Sequence, residues 1–537
     1  MPPGRLRCAA SAVVLLALAG FGCRPAARPR NVVLISVDTL RQNALGCYGN
    51  AEVRTPSIDA LAKQGVLFRQ AFSHAPTTLP SHASMLFSEH PWKLGIFRNG
   101  DTVPQRSESL QAILKGLGYA TGAFTSLAVL DASFGLSQGF DHYFDDVARH
   151  PGRPYLFADE VNAQVLPWLA AQAGRPFFLF VHYSDPHEPY APKDAPPDVE
   201  LLLGDRTIGQ ACFLTREQRS LAVELPPGRS RLALRALVKA RSRSYEIQQL
   251  ELQHAGLRVT PPSPAGPGDA VSFADEATYV VLNLTREPVR TQLVLRGKLS
   301  LGKREAARQY LREVEWVDRA IGDLIGSLKS QGRYEDTLFL LVADHGEGLG
   351  EHGLTGHEGQ LYLDQIRIPM ILLDHRHKGV VVDAPATLLD LAPTILARLG
   401  APPAQSFKGV DLTPLIERPD AARPRRDVLS ATFYSGGGRH ELTRQKFSVL
   451  RPPHHLIVSL PIDRHELYDI GADPAERLNL AGAEGPAAQA YQDLLAVARA
   501  TIRESEAHLK DRRESAMSDE QREQLEALGY VGGPETP

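Results

Sequence analysis

Short, wholly apolar runs alternate along this chain with stretches that carry an apolar residue at every third or fourth position. Asn31-Val32-Val33-Leu34-Ile35-Ser36-Val37 closes on Asp38, and Phe177 to Val181, Thr337 to Ala343 and Pro369 to Leu373 share its character. Runs of this kind fit strands buried on both faces of a parallel sheet. Tyr310, Val314, Val317, Ile321, Leu324 and Leu328 mark one face of a long helix between two of them. Strand and helix in alternation predict an α/β fold, a mostly parallel sheet flanked by helices. Such sheets bind ligands beyond the carboxyl ends of their strands, where Asp38 and the pair Asp344-His345 fall.

From about residue 195 to 300 the pattern changes. Leu232, Leu234 and Val238 alternate with polar neighbours, as do Leu250 with Leu252 and Leu293 with Leu295, and a Pro/Gly-rich loop runs from Pro261 to Gly268. Period-two alternation of this kind predicts an inserted β-sandwich-like module with one solvent-facing side to each sheet. The catalytic α/β domain is then expected over 31–194 and 301–400. Ala401-Pro402-Pro403 opens a less regular, smaller C-terminal α+β region, 401–537, with a helix-like tail from Ser518 to Leu528 closed by Gly529. The sequon Asn283-Leu284-Thr285 falls in an expected strand and reads as chance.

Composition adds bounds. A chain of 537 residues, 43% hydrophobic and 23% charged, can bury a large core and divide into roughly two or three domains. Its formal net charge of -3 supplies no basic field, so nucleic acid is not the expected partner. Arg5 and Arg7 precede an apolar run from Ala9 to Phe21 and then Gly22-Cys23. Residues 1–23 read as a secretory signal too short to span a bilayer. Gly22-Cys23 resembles a lipoprotein cleavage site, which leaves membrane attachment through lipidated Cys23 open beside release to the periplasm. Cys47 and Cys212, the cysteines beyond that segment, imply no disulfide framework.

Candidate chemistry centres on Thr78, in Pro76-Thr77-Thr78-Leu79-Pro80-Ser81-His82-Ala83-Ser84. Pro80 and the small residues after it fit the first turn of a helix, with Thr78 at its N-terminus, where backbone N–H groups favour an anion. A threonine hydroxyl is a weak nucleophile unless a metal ion lowers its pKa. Asp38, Asp344 and His345 are residues of the right type to hold one. Taken alone, each of these positions also reads as a plain helix cap.

The order of motifs weighs against that plain reading. Ser36-Val37-Asp38-Thr39-Leu40-Arg41, Gly46-Cys47-Tyr48-Gly49 and Thr55-Pro56-Ser57-Ile58-Asp59 resemble the N-terminal blocks of the sulfatase family. Pro186-His187-Glu188-Pro189-Tyr190, Ala343 to Gly353, Glu466-Leu467-Tyr468-Asp469 with Asp473-Pro474, and Leu528 to Gly533 resemble its later segments in order. The chain is thus identified as similar to the sulfatase branch of the alkaline phosphatase superfamily. The resemblance implies Asp38, Thr78, Asp344 and His345 as metal ligands, Thr78 also as nucleophile, His187 as a substrate-contacting and proton-transferring histidine, and His357 as a group that binds the transferred anion. His352 is expected to be structural.

Where the family oxidises a Cys or Ser to formylglycine, this chain has Thr78, which cannot be converted. The departures continue with Thr39 in place of a second aspartate, His345 in place of an asparagine and His82 in place of an arginine. Fewer carboxylates and one more imidazole favour manganese or zinc over calcium as the divalent ion. The expected function is an exported, metal-dependent hydrolase of phosphate esters or diesters, or of sulfate esters, acting through a covalent threonine intermediate on a small-molecule, glycan or lipid ester. A phosphoethanolamine- or phosphoglycerol-type transferase, a sulfuric ester hydrolase without formylglycine and a non-catalytic binding protein are the alternatives.

Overall fold

The structure is a computed structural model that describes residues 29–106, 108–147, 154–214, 219–237, 243–262, 271–419, 426–433 and 445–527. The signal-like segment with Cys23, most of the proline-rich loop and the Leu528 to Gly533 motif lie outside them. An eight-stranded sheet runs in the order Val380–Val382, Val66–Phe68, Met370–Leu373, Thr337–Ala343, Asn31–Val37, Phe177–Tyr183, Ala120–Phe124 and His142–Phe144. The α/β expectation holds: Asn31–Val37 lies at the centre, parallel to both its neighbours, with every residue buried. One expectation needs correction. Met370–Leu373 runs antiparallel to Thr337–Ala343. Its apolar run reports burial on both faces, and burial says nothing about strand direction.

The Lys303–Ser330 helix lays Tyr310, Val314, Val317, Ile321, Leu324 and Leu328 against this sheet's core. Its Tyr310 hydroxyl also ties down the turn after the first strand, accepting from Arg41 N at 2.8 Å and donating to Thr39 O at 2.9 Å. The Thr78–Phe87 helix has all of its residues buried. A helix enclosed on every side is held by packing, and its first turn is correspondingly rigid.

Residues from Val199 to Leu301 form two antiparallel sheets, one of five strands and one of four. Leu201, Leu232, Leu234, Tyr245, Ile247, Val281, Leu293 and Leu295 meet between them in a core of their own. A Cβ placed on Gly297 would fall 2.2 Å from the Phe213 ring, so this strand position has room only for glycine. The C-terminal region is more regular than its sequence pattern suggests. Val428–Thr432, Gln445–Arg451, His454–Leu460 and Arg464–Asp469 form a four-stranded antiparallel sheet, on which the Pro486–His508 helix packs Leu494, Leu495 and Ala498. Trp92, Phe97, Phe433 and Phe447 clamp this sheet to the segment that follows the Thr78 helix. No helix among the described residues is long and apolar enough to cross a membrane.

Leu324 is fully buried, whereas Leu284 in the inserted sheets is 61% exposed. Leu324→Ala is therefore expected to lower unfolding stability by about 2–5 kcal/mol, and Leu284→Ala to stay within about 0.5 kcal/mol. Urea denaturation followed by circular dichroism compares the two.

Candidate active site

Register brings the first-strand carboxylate to the second metal motif. Val37 lies level with Ala343 on one side and Tyr183 on the other, so Asp38 and Asp344 emerge side by side beyond the strand ends. Both are completely buried. Asp344 Oδ1 accepts from His345 N at 2.8 Å and from Thr39 N at 3.3 Å. Both oxygens of Asp38, and Oδ2 of Asp344, have no hydrogen-bond partner among the described residues. Thr39 bends the chain there with a left-handed φ of 55°, a strained conformation for a β-branched residue. Its hydroxyl donates to Asp38 O at 2.7 Å, and so turns away from the carboxylates.

Thr78 is the first residue of its helix, with Thr77 in extended conformation before it. Its Oγ1 lies 3.5 Å from His345 Nε2. The opposite ring nitrogen, His345 Nδ1, is 2.9 Å from Gly346 O. A carbonyl can only accept, so Nδ1 carries the hydrogen and Nε2 presents its lone pair to Thr78, Asp38 and Asp344. His345 Nε2 is 3.7 Å from Asp38 Oδ1 and 3.4 Å from Asp344 Oδ2. His82 holds the backbone of Thr78: its Nδ1 donates to Thr78 O at 2.8 Å, and its Nε2 meets Ser36 Oγ at 2.9 Å.

Burial raises the pKa of Asp344 to about 7, with the charge of Asp38 adding to the rise and His82 and His182 opposing it. Burial also raises Asp38, against the opposing effect of His187 and His345. The histidines move the other way: desolvation holds His82, His182, His345 and His357 at about 4, so their rings are neutral at pH 7. Donor atoms of Asp38, Asp344 and His345 lie within 4.8 Å of one another, as do those of His82, His182 and Asp344. Unpartnered carboxylate oxygens facing imidazole lone pairs suit a divalent cation of intermediate softness.

The remaining predicted histidines line up beside this cluster. The His345 and His357 rings are 4.6 Å apart and those of His357 and His187 are 5.0 Å apart. His187 Nδ1 donates to Glu188 O at 2.7 Å, and His357 Nδ1 lies 3.4 Å from Glu347 Oε1. His352 stands apart from them, stacked on Tyr362 at 3.7 Å.

Sequence reasoning missed three residues. Glu347 is completely buried beside His357, and burial raises its pKa to about 7. Asn99 caps the Thr78 helix by accepting from Leu79 N at 2.9 Å, while its buried Nδ2 has no partner among the described residues. No motif surrounds Asn99 to reveal it. His182 belongs to the Phe177–Tyr183 strand just past the apolar run, and a histidine in a doubly buried strand is itself a signal, since a buried polar group needs a partner.

The family model described as Sulfatase matches residues 30–401, and one described as N-sulphoglucosamine sulphohydrolase, C-terminal, matches residues 350–502. An ulvan-active sulfatase of Formosa agariphila is 25% identical over 466 residues, covering 84% of this chain and 77% of the relative. Among solved structures, BT4656 in complex with D-glucosamine-2-N,6-O-disulfate superposes with a TM-score of 0.63 at 18% identity, covering 90% of this chain and 99% of the other. A phosphonate monoester hydrolase of Agrobacterium radiobacter gives 0.58 at 20% identity, covering 88% and 96%. With the sulfatase model spanning the sheet, the Thr78 helix and the Asp344-His345 turn, this chain belongs to the sulfatase family, on the fold of the alkaline phosphatase superfamily, and is an ester hydrolase.

Proposed function

We propose that this chain is a metal-dependent hydrolase of phosphorus esters, phosphate diesters above all, with Thr78 as its nucleophile. The placement of Thr78 carries the reading: its hydroxyl stands at a buried helix N-terminus, 3.5 Å from His345 Nε2, in the cluster that holds the unpartnered carboxylates of Asp38 and Asp344. Asp38, Thr78, Asp344 and His345 would hold the cation. When bound, the cation lowers the pKa of the Thr78 hydroxyl and neutralises charge on the transferred group.

Thr78 Oγ attacks phosphorus in line; the new P–O bond forms as the ester P–O bond breaks, the electron pair leaves on the ester oxygen, and the proton given up by the Thr78 hydroxyl is balanced by one taken up on that departing oxygen, which leaves as the alcohol. Asn99 Nδ2, at the start of the nucleophile helix, is a donor for a non-bridging oxygen. A water molecule then attacks the phosphothreonine, breaking its P–O bond to Thr78. His187 and His357, whose rings stand 5.0 Å apart beside this cluster, are the side chains that take that water's proton. A sulfothreonine would need the same attack at sulfur, whereas the formylglycine hydrate of the family expels sulfate by collapsing to an aldehyde. Thr78 has no such route, which favours phosphorus over sulfur. The apolar run from Ala9 to Phe21 supports an exported enzyme.

The deciding experiment assays wild type and Thr78→Ala on matched aryl sulfate, phosphate monoester, phosphate diester and phosphonate monoester with manganese, zinc or calcium. Diester turnover is expected to fall on the order of 10³-fold or more in the variant. Dominant sulfatase activity, or turnover that survives the change, overturns the reading. His187→Ala and His357→Ala should each lose roughly 10²- to 10⁴-fold in turnover with metal content, measured by mass spectrometry, unchanged.

Asp344→Asn tests the electrostatics separately. A folded-state pKa raised from 3.8 to about 7 means that the folded state holds a proton the unfolded chain has already lost, so stability declines as pH rises from the lower value through the higher one. In chelator, the wild-type thermal midpoint should fall as pH rises from about 4 to about 7 and level off above; the variant should lose the share due to Asp344, keep the share that the raised carboxyls of Asp185, Glu347 and Asp364 contribute, become the more heat-stable protein near neutral pH, and be inactive. Scanning calorimetry reads both.

A further inference from the structure

His182 is fully buried near the end of the Phe177–Tyr183 strand, level with Ser36 of the first strand. Three hydrogen bonds settle which of its nitrogens carries the hydrogen. Its Nδ1 lies 3.0 Å from Ser126 Oγ. The Ser126 hydroxyl donates to Ser184 Oγ at 2.9 Å, and Ser184 donates back to Ser126 O at 3.4 Å. Ser126 Oγ, its own hydrogen committed, can only accept from His182, which places the imidazole hydrogen on Nδ1 and a lone pair on Nε2.

That lone pair points at another acceptor. His182 Nε2 is 3.5 Å from Asp38 Oδ2, and neither atom has a hydrogen-bond partner among the described residues. Two acceptors facing each other in a dry site repel unless a positive charge lies between them. His82, whose ring centre is 4.9 Å away, differs in this respect. Its Nδ1 is committed to Thr78 O and its Nε2 to Ser36 Oγ, so it holds the nucleophile helix and has no lone pair to give.

We propose that His182 Nε2 is a fifth protein donor to the cation held by Asp38, Thr78, Asp344 and His345, and that this second imidazole makes the centre select zinc over calcium. The inference rests on the metal-dependent reading above. Imidazole nitrogen binds zinc and cobalt well and calcium poorly, so each nitrogen donor widens the gap between these ions. Ser126 is then a positioning residue that fixes the tautomer from behind.

The test uses the purified full-length chain, stripped by chelator and dialysed against zinc, cobalt or calcium, with bound metal counted by mass spectrometry and the visible spectrum of the cobalt form recorded. Wild type is expected to take up about one zinc per chain. His182→Ala should lower zinc and cobalt affinity by at least about 100-fold, since loss of a mere supporting partner already costs roughly 10- to 100-fold. Its calcium affinity should change little, and the cobalt absorption should shift. Ser126→Ala, which leaves the ligand in place, should lose about 10- to 100-fold; together with His182→Gln it keeps the test valid if His182→Ala does not fold. Tight zinc binding by wild type with unchanged affinity and cobalt spectrum in every variant would make His182 an ion-pair partner of Asp38 and overturn the inference while leaving the proposed function standing. A wild-type chain that binds no divalent ion would overturn both.

Discussion

Two carboxylates meet in a fully dry site, and the rest of this centre is arranged around that fact. Asp38 and Asp344 follow adjacent parallel strands whose ends are level, so the sheet itself forces them together. Only Oδ1 of Asp344 is hydrogen-bonded. Folding such a pair without a counter-charge is unfavourable, and the sheet, the buried helix and the Tyr310 tether of the first turn supply the stability that keeps it in place.

The histidines of the centre share one device. His82, His182, His187, His345 and His357 are all anchored through Nδ1, to Thr78 O, Ser126 Oγ, Glu188 O, Gly346 O and Glu347 Oε1 respectively. Anchoring one nitrogen fixes the ring's orientation and its tautomer together. What Nε2 meets then separates the roles: Ser36 for His82, carboxylates for His182 and His345. Desolvation keeps the buried rings neutral, which is the form that ligates metal and accepts protons.

Position 78 links this centre to the family question. The sulfatase family models match from the first strand to the C-terminal sheet, and position 78, the nucleophile of the proposed reading, is a threonine on an enclosed helix. Thr39, His82 and His345 stand around it. Thr39 no longer offers a carboxylate, His82 steadies the helix backbone as a neutral donor, and His345 faces the Thr78 hydroxyl. On the proposed reading these residues surround a metal-activated alkoxide.

Much of the fold was legible in the sequence because burial on both faces and the 3.6-residue period leave strong marks, as in Asn31–Val37, Thr337–Ala343 and the Lys303–Ser330 helix. Asp38, Thr78, Asp344, His345, His187 and His357 were singled out because each sits in a motif, and the structure brings them together. Strand direction at Met370–Leu373 was not, since an enclosed strand looks the same in either sense. Nor were Ser126 and Asn99, which no local pattern distinguishes from structural residues, or the direction in which His182, marked only as a polar residue in a buried strand, presents its nitrogens. Their roles come from hydrogen-bond direction and from which lone pairs are left facing a carboxylate or a substrate oxygen. Those are properties of atoms brought together across the sheet from distant parts of the chain, and only tertiary structure decides them.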